Sequence, residues 1–441
     1  MKKRILLTAL VLASVLLSGC APLTVYEMYS LPRRSEEYND LQVAIDNAMA
    51  GEMTYSAPQA GENLQTVQMA DLTGDGQEEY LVFAKGSSEK PMKILIFTQD
   101  DDGKARLLQI IDSTGSAFEQ VEYVDMDGEP GLEIIVGRQV SDQVLRSVSV
   151  YGIREGEVQQ LMSVGYTRFM TCDLDSDGGK ELLVIQPGTE DRINGIAVLY
   201  SIRDGVLERS LEAELSQRAE SIMRVIVSRL EGGTPAVYIA SAVDESSIMT
   251  DVLALREGRF ANISLSGESG NSVKTLRNYY VYGSDVDSDG VLELPSLIGM
   301  YPLNPEGNSL NQYLIRWFSL DEEGAETDKL YSFHNYQGGW YVGLDSQWAH
   351  RVTVEQVGNT YAFYLWDEEF ESAEPLYTLY ALTGSDRETQ AQTDGRVLLC
   401  SADSVIYAVR LEEIATGYGI TEDILRENFH LIYEAWNSGN S

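Results

Sequence analysis

The chain has 441 residues, 44% of them hydrophobic, so it can build real cores and is too long for one ordinary domain. Its 69 acidic and 32 basic residues give a formal net charge of −37, which argues against nucleic acid, whose phosphates would be repelled, and against lying flat on anionic lipid. Beyond Cys20 only Cys172 and Cys400 remain, each inside an apolar, strand-like run, and both are expected as buried free thiols rather than a disulfide pair.

Lys2, Lys3 and Arg4 precede an apolar run from Ile5 to Leu17, and the small residues Ser18-Gly19 follow it. These are the three parts of an export signal. The run is 13 residues long, too short to cross about 30 Å of hydrocarbon as a helix. Leu17-Ser18-Gly19-Cys20 resembles the lipobox of bacterial lipoproteins. That resemblance implies cleavage before Cys20, lipid on its sulfur, and a protein anchored on the outer face of the bacterial cell envelope. Several acyl chains make a durable tether, since each buried CH₂ contributes about 0.8 kcal/mol. Residues 1–19 are then signal and 20–34 a tether. Residues 35–51 predict a short helix, with Ser35 as N-cap, Leu41, Ile45 and Ala48 at helical spacing, and Gly51 as its stop.

Internal repetition dominates the next 250 or so residues. Asp71 to Glu79, Asp125 to Glu133, Asp173 to Glu181 and Asp285 to Glu293 are nine-residue acidic loops, each followed by an apolar run. The first three start 54 and 48 residues apart, and the last gap is 112. Halfway across it, Arg229 to Val237 has the same shape with most of its acids lost. In the third unit, runs at 168–172, 181–185, 196–202 and 206–211 read as four strands, the last two joined by Asp204-Gly205. A four-stranded unit recurring about every 50 residues, unable to bury both faces alone, predicts a propeller.

Within a loop, alternate positions offer oxygens. Asp173, Asp175, Asp177 and Glu181, with the Gly179 carbonyl, form one complete set; Asp285, Asp287, Asp289 and Glu293, with the Val291 carbonyl, form another. Hard cations such as Ca²⁺ take six to eight such oxygens. Gly178 and Gly290 let the backbone turn at the sixth position. The first loop offers Asp71, Thr73, Asp75, Gln77 and Glu79, with Thr73 in place of an acid. The second offers Asp125, Asp127, Glu129, Gly131 and Glu133, distorted at Glu129-Pro130. The motif resembles the D-x-D-x-D-G-x-x-D/E loops of the FG-GAP and VCBS repeat families and of the integrin α-subunit propeller. The resemblance covers roughly residues 60–330 and implies structural Ca²⁺ between a blade's first two strands.

The fold class expected is therefore mainly β. An N-terminal β-propeller of about five four-stranded blades fills 52–334, and an α+β domain with an antiparallel sheet and a final helix fills 335–441. That helix is expected to start at Thr421 and to carry Leu425, Phe429, Ile432 and Trp436 on one stripe. Neither His334 nor His350 sits beside a nucleophile motif, and His430 reads as a surface residue of the last helix. Tyr279, Tyr280, Tyr282, Trp340, Tyr341 and Trp348 are candidates for a sugar-stacking platform, although core packing is the commoner use of such rings. The leading expectation is a lipid-anchored surface protein that binds a protein, peptide or glycan without catalysis. Second stands an envelope accessory subunit of a transport or assembly system, and third a carbohydrate-active enzyme on a propeller.

Overall fold

The computed structural model describes residues 36–432 apart from 50, 52, 101–102, 141–144, 155, 204, 268, 279–280, 302, 304–312 and 367–372. Cys20, the signal and tether, Ser35, Tyr279, Tyr280 and Trp436 lie outside the described residues. Strand takes up 52% of the structure, arranged as several antiparallel sheets, none closed into a barrel.

Six sheets follow one another along the chain, spanning 54–113, 117–165, 168–214, 222–278, 294–344 and 352–411. The second and third are plain four-stranded meanders, with neighbours in sequence paired in space. Leaving aside the two-residue edge strand Thr54–Tyr55, each acidic loop joins the first strand of its sheet to the second. In the fifth sheet that first strand is reduced to a single bridge between Ser284 and Glu293. A β-bulge recurs between the third and fourth strands, at Ile96/Phe97, Val150/Tyr151, Leu199/Tyr200 and Trp317/Phe318. Bulges at one register add twist in the same place each time, so successive sheets have matching shapes to stack.

The central strands alternate between two neighbours. In Glu79–Lys85, Leu81 and Phe83 pack towards the second sheet, while Tyr80, Val82 and Ala84 face the other way. Ile134 and Val136 meet the first sheet, and Ile135 meets the third. Leu182 and Val184 return that contact, while Leu183 and Ile185 face Val237 and Ile239 of the fourth. Tyr238 and Ala236 then meet Leu294 and Phe318 of the fifth. Burial on both faces explains why these strands read as continuous apolar runs. Each buried aliphatic or aromatic side chain contributes about 1.5–3 kcal/mol.

The stack has two covered ends. Helix α1 (Glu36–Met49) lays Leu41, Ile45 and Met49 on the outer face of the first sheet, against Tyr80, Val82, Leu95 and Phe97. At the far end α2 (Arg387–Gln390) leads into Ala391, which packs on Leu382, Ile406 and Ala408 of the sixth sheet. Among the described residues no core cluster joins the first sheet to the last. The packing is a series of antiparallel sheets, and it does not confirm a blade count.

Two expectations for the C-terminal part change. The strand Glu326–Asn335 pairs with Trp340–Leu344 inside the fifth sheet, so a domain boundary at 335 would cut through hydrogen-bonded strands. The final helix α3 covers only Glu422–Asn428, capped by Thr421. Phe429–Leu431 is a strand paired with Trp340–Val342, because that sheet edge was open to a further partner. Leu425 and Phe429 both reach the aromatic core between the fifth and sixth sheets.

Candidate metal loops

The four acidic loops share one internal geometry. The ninth-position glutamate opens the second strand, and its side chain turns back under the loop. There its Oε2 accepts the backbone N–H of the second position: Leu72 to Glu79 at 2.9 Å, Met126 to Glu133 at 3.0 Å, Leu174 to Glu181 at 2.9 Å and Val286 to Glu293 at 2.8 Å. The second position is apolar in every loop, and Leu72, Met126 and Leu174 are buried. An apolar side chain pulled down and a carboxylate tucked beneath thus fix each loop twice. The four glutamates are buried, and burial is the largest cause raising each of their pKa values above the usual carboxylate range. Glu293, fully buried and beside Asp287, Asp289 and Asp285, is pushed up to about 7.

What the loops do with their remaining acids differs. Carboxylate oxygens of Asp173, Asp175 and Glu181 lie within 4.8 Å of one another, as do those of Asp285, Asp287 and Asp289, and those of Asp125, Asp127 and Glu133. The first loop gathers no such group: Asp71 accepts the N–H groups of Gly74 and Gly76, at 2.7 and 2.9 Å, and Asp75 accepts that of Gln77. Thr73 adds a backbone hydrogen bond to Glu79. Asp177 is likewise turned onto the N–H of Gly179 at 2.8 Å, and Asp289 onto that of Val291. Glu129 stays outside the second group and gives only its N–H, to Asp127. Gly131 is pressed on the first loop, where a Cβ would lie 2.6 Å from the Leu72 carbonyl oxygen.

Two cations that the sequence reading missed sit on these acids. Arg154 places its Nη2 2.7 Å from Asp127 and 3.1 Å from Glu133, closing the second loop with a guanidinium. Lys329 bridges Asp289 at 2.9 Å and Glu231 of the acid-poor fourth loop at 3.1 Å. Neither is near in sequence, so no spacing rule could point to them. By contrast, the acids of the third loop carry no basic side chain among the described residues.

The third and fifth loops fit a hard cation on the observations themselves. Asp173 Oδ1 and Glu293 Oε1 are buried oxygens with no hydrogen-bond partner. An ionised buried oxygen left unpaired costs several kcal/mol, and a cation is the partner an all-oxygen set supplies. Asp173, Asp175 and Glu181 would hold one ion, and Asp285, Asp287 and Asp289, with Glu293 beneath, another.

Other candidates fall elsewhere. Trp340, Trp348 and Tyr282 are 0, 4 and 5% exposed, so the platform expected of them is absent from the surface. They fill cores, Trp340 stacking on Phe429 at 5.6 Å. Tyr341 lies between His334 at 4.8 Å and His430 at 4.9 Å, and burial lowers both histidines, His334 to about 3. His430 is on the last strand rather than on a helix. Cys172 is buried, Cys400 half-buried, and neither is in a disulfide. Burial pushes the Cys172 thiol up to about 12.

No family model matches the sequence, and neither does any curated protein. Among solved structures, the exotype rhamnogalacturonan lyase YesX and the rhamnogalacturonan lyase YesW both align at a TM-score of 0.29. They are 12% and 13% identical, and each alignment covers 81% of this chain and 72% of theirs. A Bacillus licheniformis rhamnogalacturonan lyase aligns at 0.28 and 12% identity, over 73% of this chain and 72% of its own. All three are named as enzymes, against the expectation of a chain without catalysis, which is withdrawn. A likeness at this level shows neither a lyase activity nor a substrate here.

Proposed function

We propose that the chain is a lipid-anchored envelope protein whose stacked sheets are locked by calcium in the third and fifth loops, and whose loop face binds a ligand. The observation that carries the calcium reading is the fully buried Glu293, with one oxygen on the Val286 N–H and the other unpartnered beneath three aspartates. Carboxylates about 5 Å apart repel by about 3 kcal/mol per pair at an effective dielectric of about 20, and a divalent ion reverses that sign. Calcium's part is structural: it neutralises one continuous loop and fixes it between the first two strands of a sheet. In the second loop Arg154 takes two of the three carboxylates an ion would need, whereas in the fifth Lys329 takes only one oxygen of Asp289.

Equilibrium dialysis against radioactive calcium tests this reading. Two ions should bind per chain, and Asp175→Asn and Asp287→Asn should each remove one. Unchanged binding in both variants would sink it. The anchor rests on Leu17-Ser18-Gly19-Cys20 after a short apolar run. Cys20→Ser should therefore move the protein out of the detergent-extracted membrane fraction or leave it as uncleaved precursor, and a variant cut to the parent's size that still fractionates with membrane would refute the anchor.

A further inference from the structure

The repeats can be compared with one another, and the third one departs from the rest in a way that makes a site. Successive loops are stitched by one backbone hydrogen bond, from the eighth position of a loop to the first-position carbonyl of the loop before it. The bond runs from Leu132 to Asp71 at 3.1 Å, from Lys180 to Asp125 at 3.4 Å and from Leu292 to Arg229 at 3.2 Å. Among the described residues the third and fourth loops lack this bond. The opposite ends of the third and fourth sheets are tied: Ser216 donates its N–H and Oγ–H to buried Asp251 at 2.8 and 2.6 Å, and Asn262 donates to the Glu214 carbonyl at 3.2 Å. Two sheets held at one end and unstitched at the other enclose a cleft of about 700 Å³.

The degenerate fourth loop forms one wall of this cleft. Gly232 and Gly233 line it, and nothing lies within 4 Å of where their Cβ atoms would be. Losing its acids thus opened the space beside the third loop, whose Asp175 lines the opposite wall. A second cavity of about 360 Å³ shares Asp175 and Arg203 with the first and reaches Asp177 and Glu181. These are the volumes of small-molecule pockets, about 300–1,000 Å³. Ser201, also lining the second cavity, has a buried hydroxyl without a partner.

Arg203 identifies the ligand's chemistry. It ends the third strand of its sheet in Arg203-Asp204-Gly205, as Arg154 does in Arg154-Glu155-Gly156 and Arg256 in Arg256-Glu257-Gly258. The register is the same, each arginine paired with the residue three positions on. Arg154 uses that position to grip two carboxylates, and Arg256 reaches Glu323 at 3.7 Å. Arg203 has no acidic partner among the described residues, and it is one of the residues that line the cleft.

We propose that this cleft binds a small polyhydroxylated carboxylate, its carboxylate spanning Arg203 and the calcium of the third loop. This rests on the calcium reading above. Three protein carboxylates leave a six- to eight-coordinate ion with positions to fill, and Asp175, one of the three, borders the cleft. Ser176, Ser210 and Thr234 line the walls together with Glu208 and Glu257, which can accept from ligand hydroxyls, and no aromatic residue does, so the ligand is held by polar contacts.

Gluconate is the probe, with sorbitol as its neutral counterpart, in equilibrium dialysis of the whole chain at free calcium held at about 1 mM. One gluconate should bind per chain and sorbitol none. Arg203→Met should weaken gluconate at least tenfold while calcium binding stays at two ions. Asp175→Asn should remove gluconate and one calcium together. If calcium fills the third loop but gluconate does not bind, or binds equally to Arg203→Met, this inference fails while the metal reading stands. If Asp175→Asn leaves bound calcium unchanged, both fail.

Discussion

At the scale of single residues, Arg154 is the strongest lever on the repeat loops. Its guanidinium neutralises Asp127 and Glu133, which are 8% and 3% exposed, while its own side chain is 29% exposed. Removing one partner of a mostly buried pair leaves charges uncompensated and costs about 3–5 kcal/mol, less where water reaches the pair. Arg154→Ala should therefore lose about 2 kcal/mol in calcium-free buffer, read from denaturant midpoints, and millimolar calcium should restore most of it by filling the vacated loop. A variant whose calcium response equals the parent's would contradict the role of Arg154 as a built-in cation. The sequence showed the acids plainly, since all four loops are local and repeat in order. It could not show Arg154, which meets Glu133 across two strands, nor which of Asp173, Asp175 and Asp177 turn inward. That choice is made by backbone N–H groups such as Gly179, which takes Asp177 away from the cluster.

At the scale of elements, the apolar runs and the turns between them placed the strands of the third sheet well, because that unit is a local meander with its own turn chemistry. The 196–202 and 206–211 runs of the third unit, for instance, match Ile196–Arg203 and Val206–Glu214. The last helix was misread for a physical reason: Leu425, Phe429 and Ile432 fit a helical stripe equally well, but the Trp340–Leu344 edge recruited Phe429–Leu431 as a strand. Helix α1 was legible from its own spacing, although its purpose as an end cap was not. Ile45, 2% exposed against the first sheet, is the centre of that cap. Ile45→Ala leaves a cavity and should cost about 2–4 kcal/mol of docking energy. Amide exchange should then rise across α1 and the first sheet's outer strands while the third to sixth sheets keep their protection. Unchanged protection in α1 would show that the helix does not depend on this contact.

At the scale of the whole molecule, the sheets form a series in which each core is shared by two neighbours, so fixing a loop between the first two strands of a sheet steadies both cores it borders. Whether a series of sheets closes into a ring depends on twist summed over many sheets, which no local pattern encodes; α1 lies on the outer face of the first sheet, and Ala391, just after α2, packs on the sixth. On the proposal made above, calcium in the third and fifth loops holds this stack. With free calcium at ten times a dissociation constant of about 10⁻⁴–10⁻³ M, each filled loop contributes about 1.4 kcal/mol, roughly 3 kcal/mol for two. Scanning calorimetry of the parent in chelator and in 10 mM calcium tests it most directly. The transition should lie several degrees higher in calcium, with that gain lost in the Asp175→Asn, Asp287→Asn double variant. Superimposable thermograms of the parent in the two buffers would contradict it.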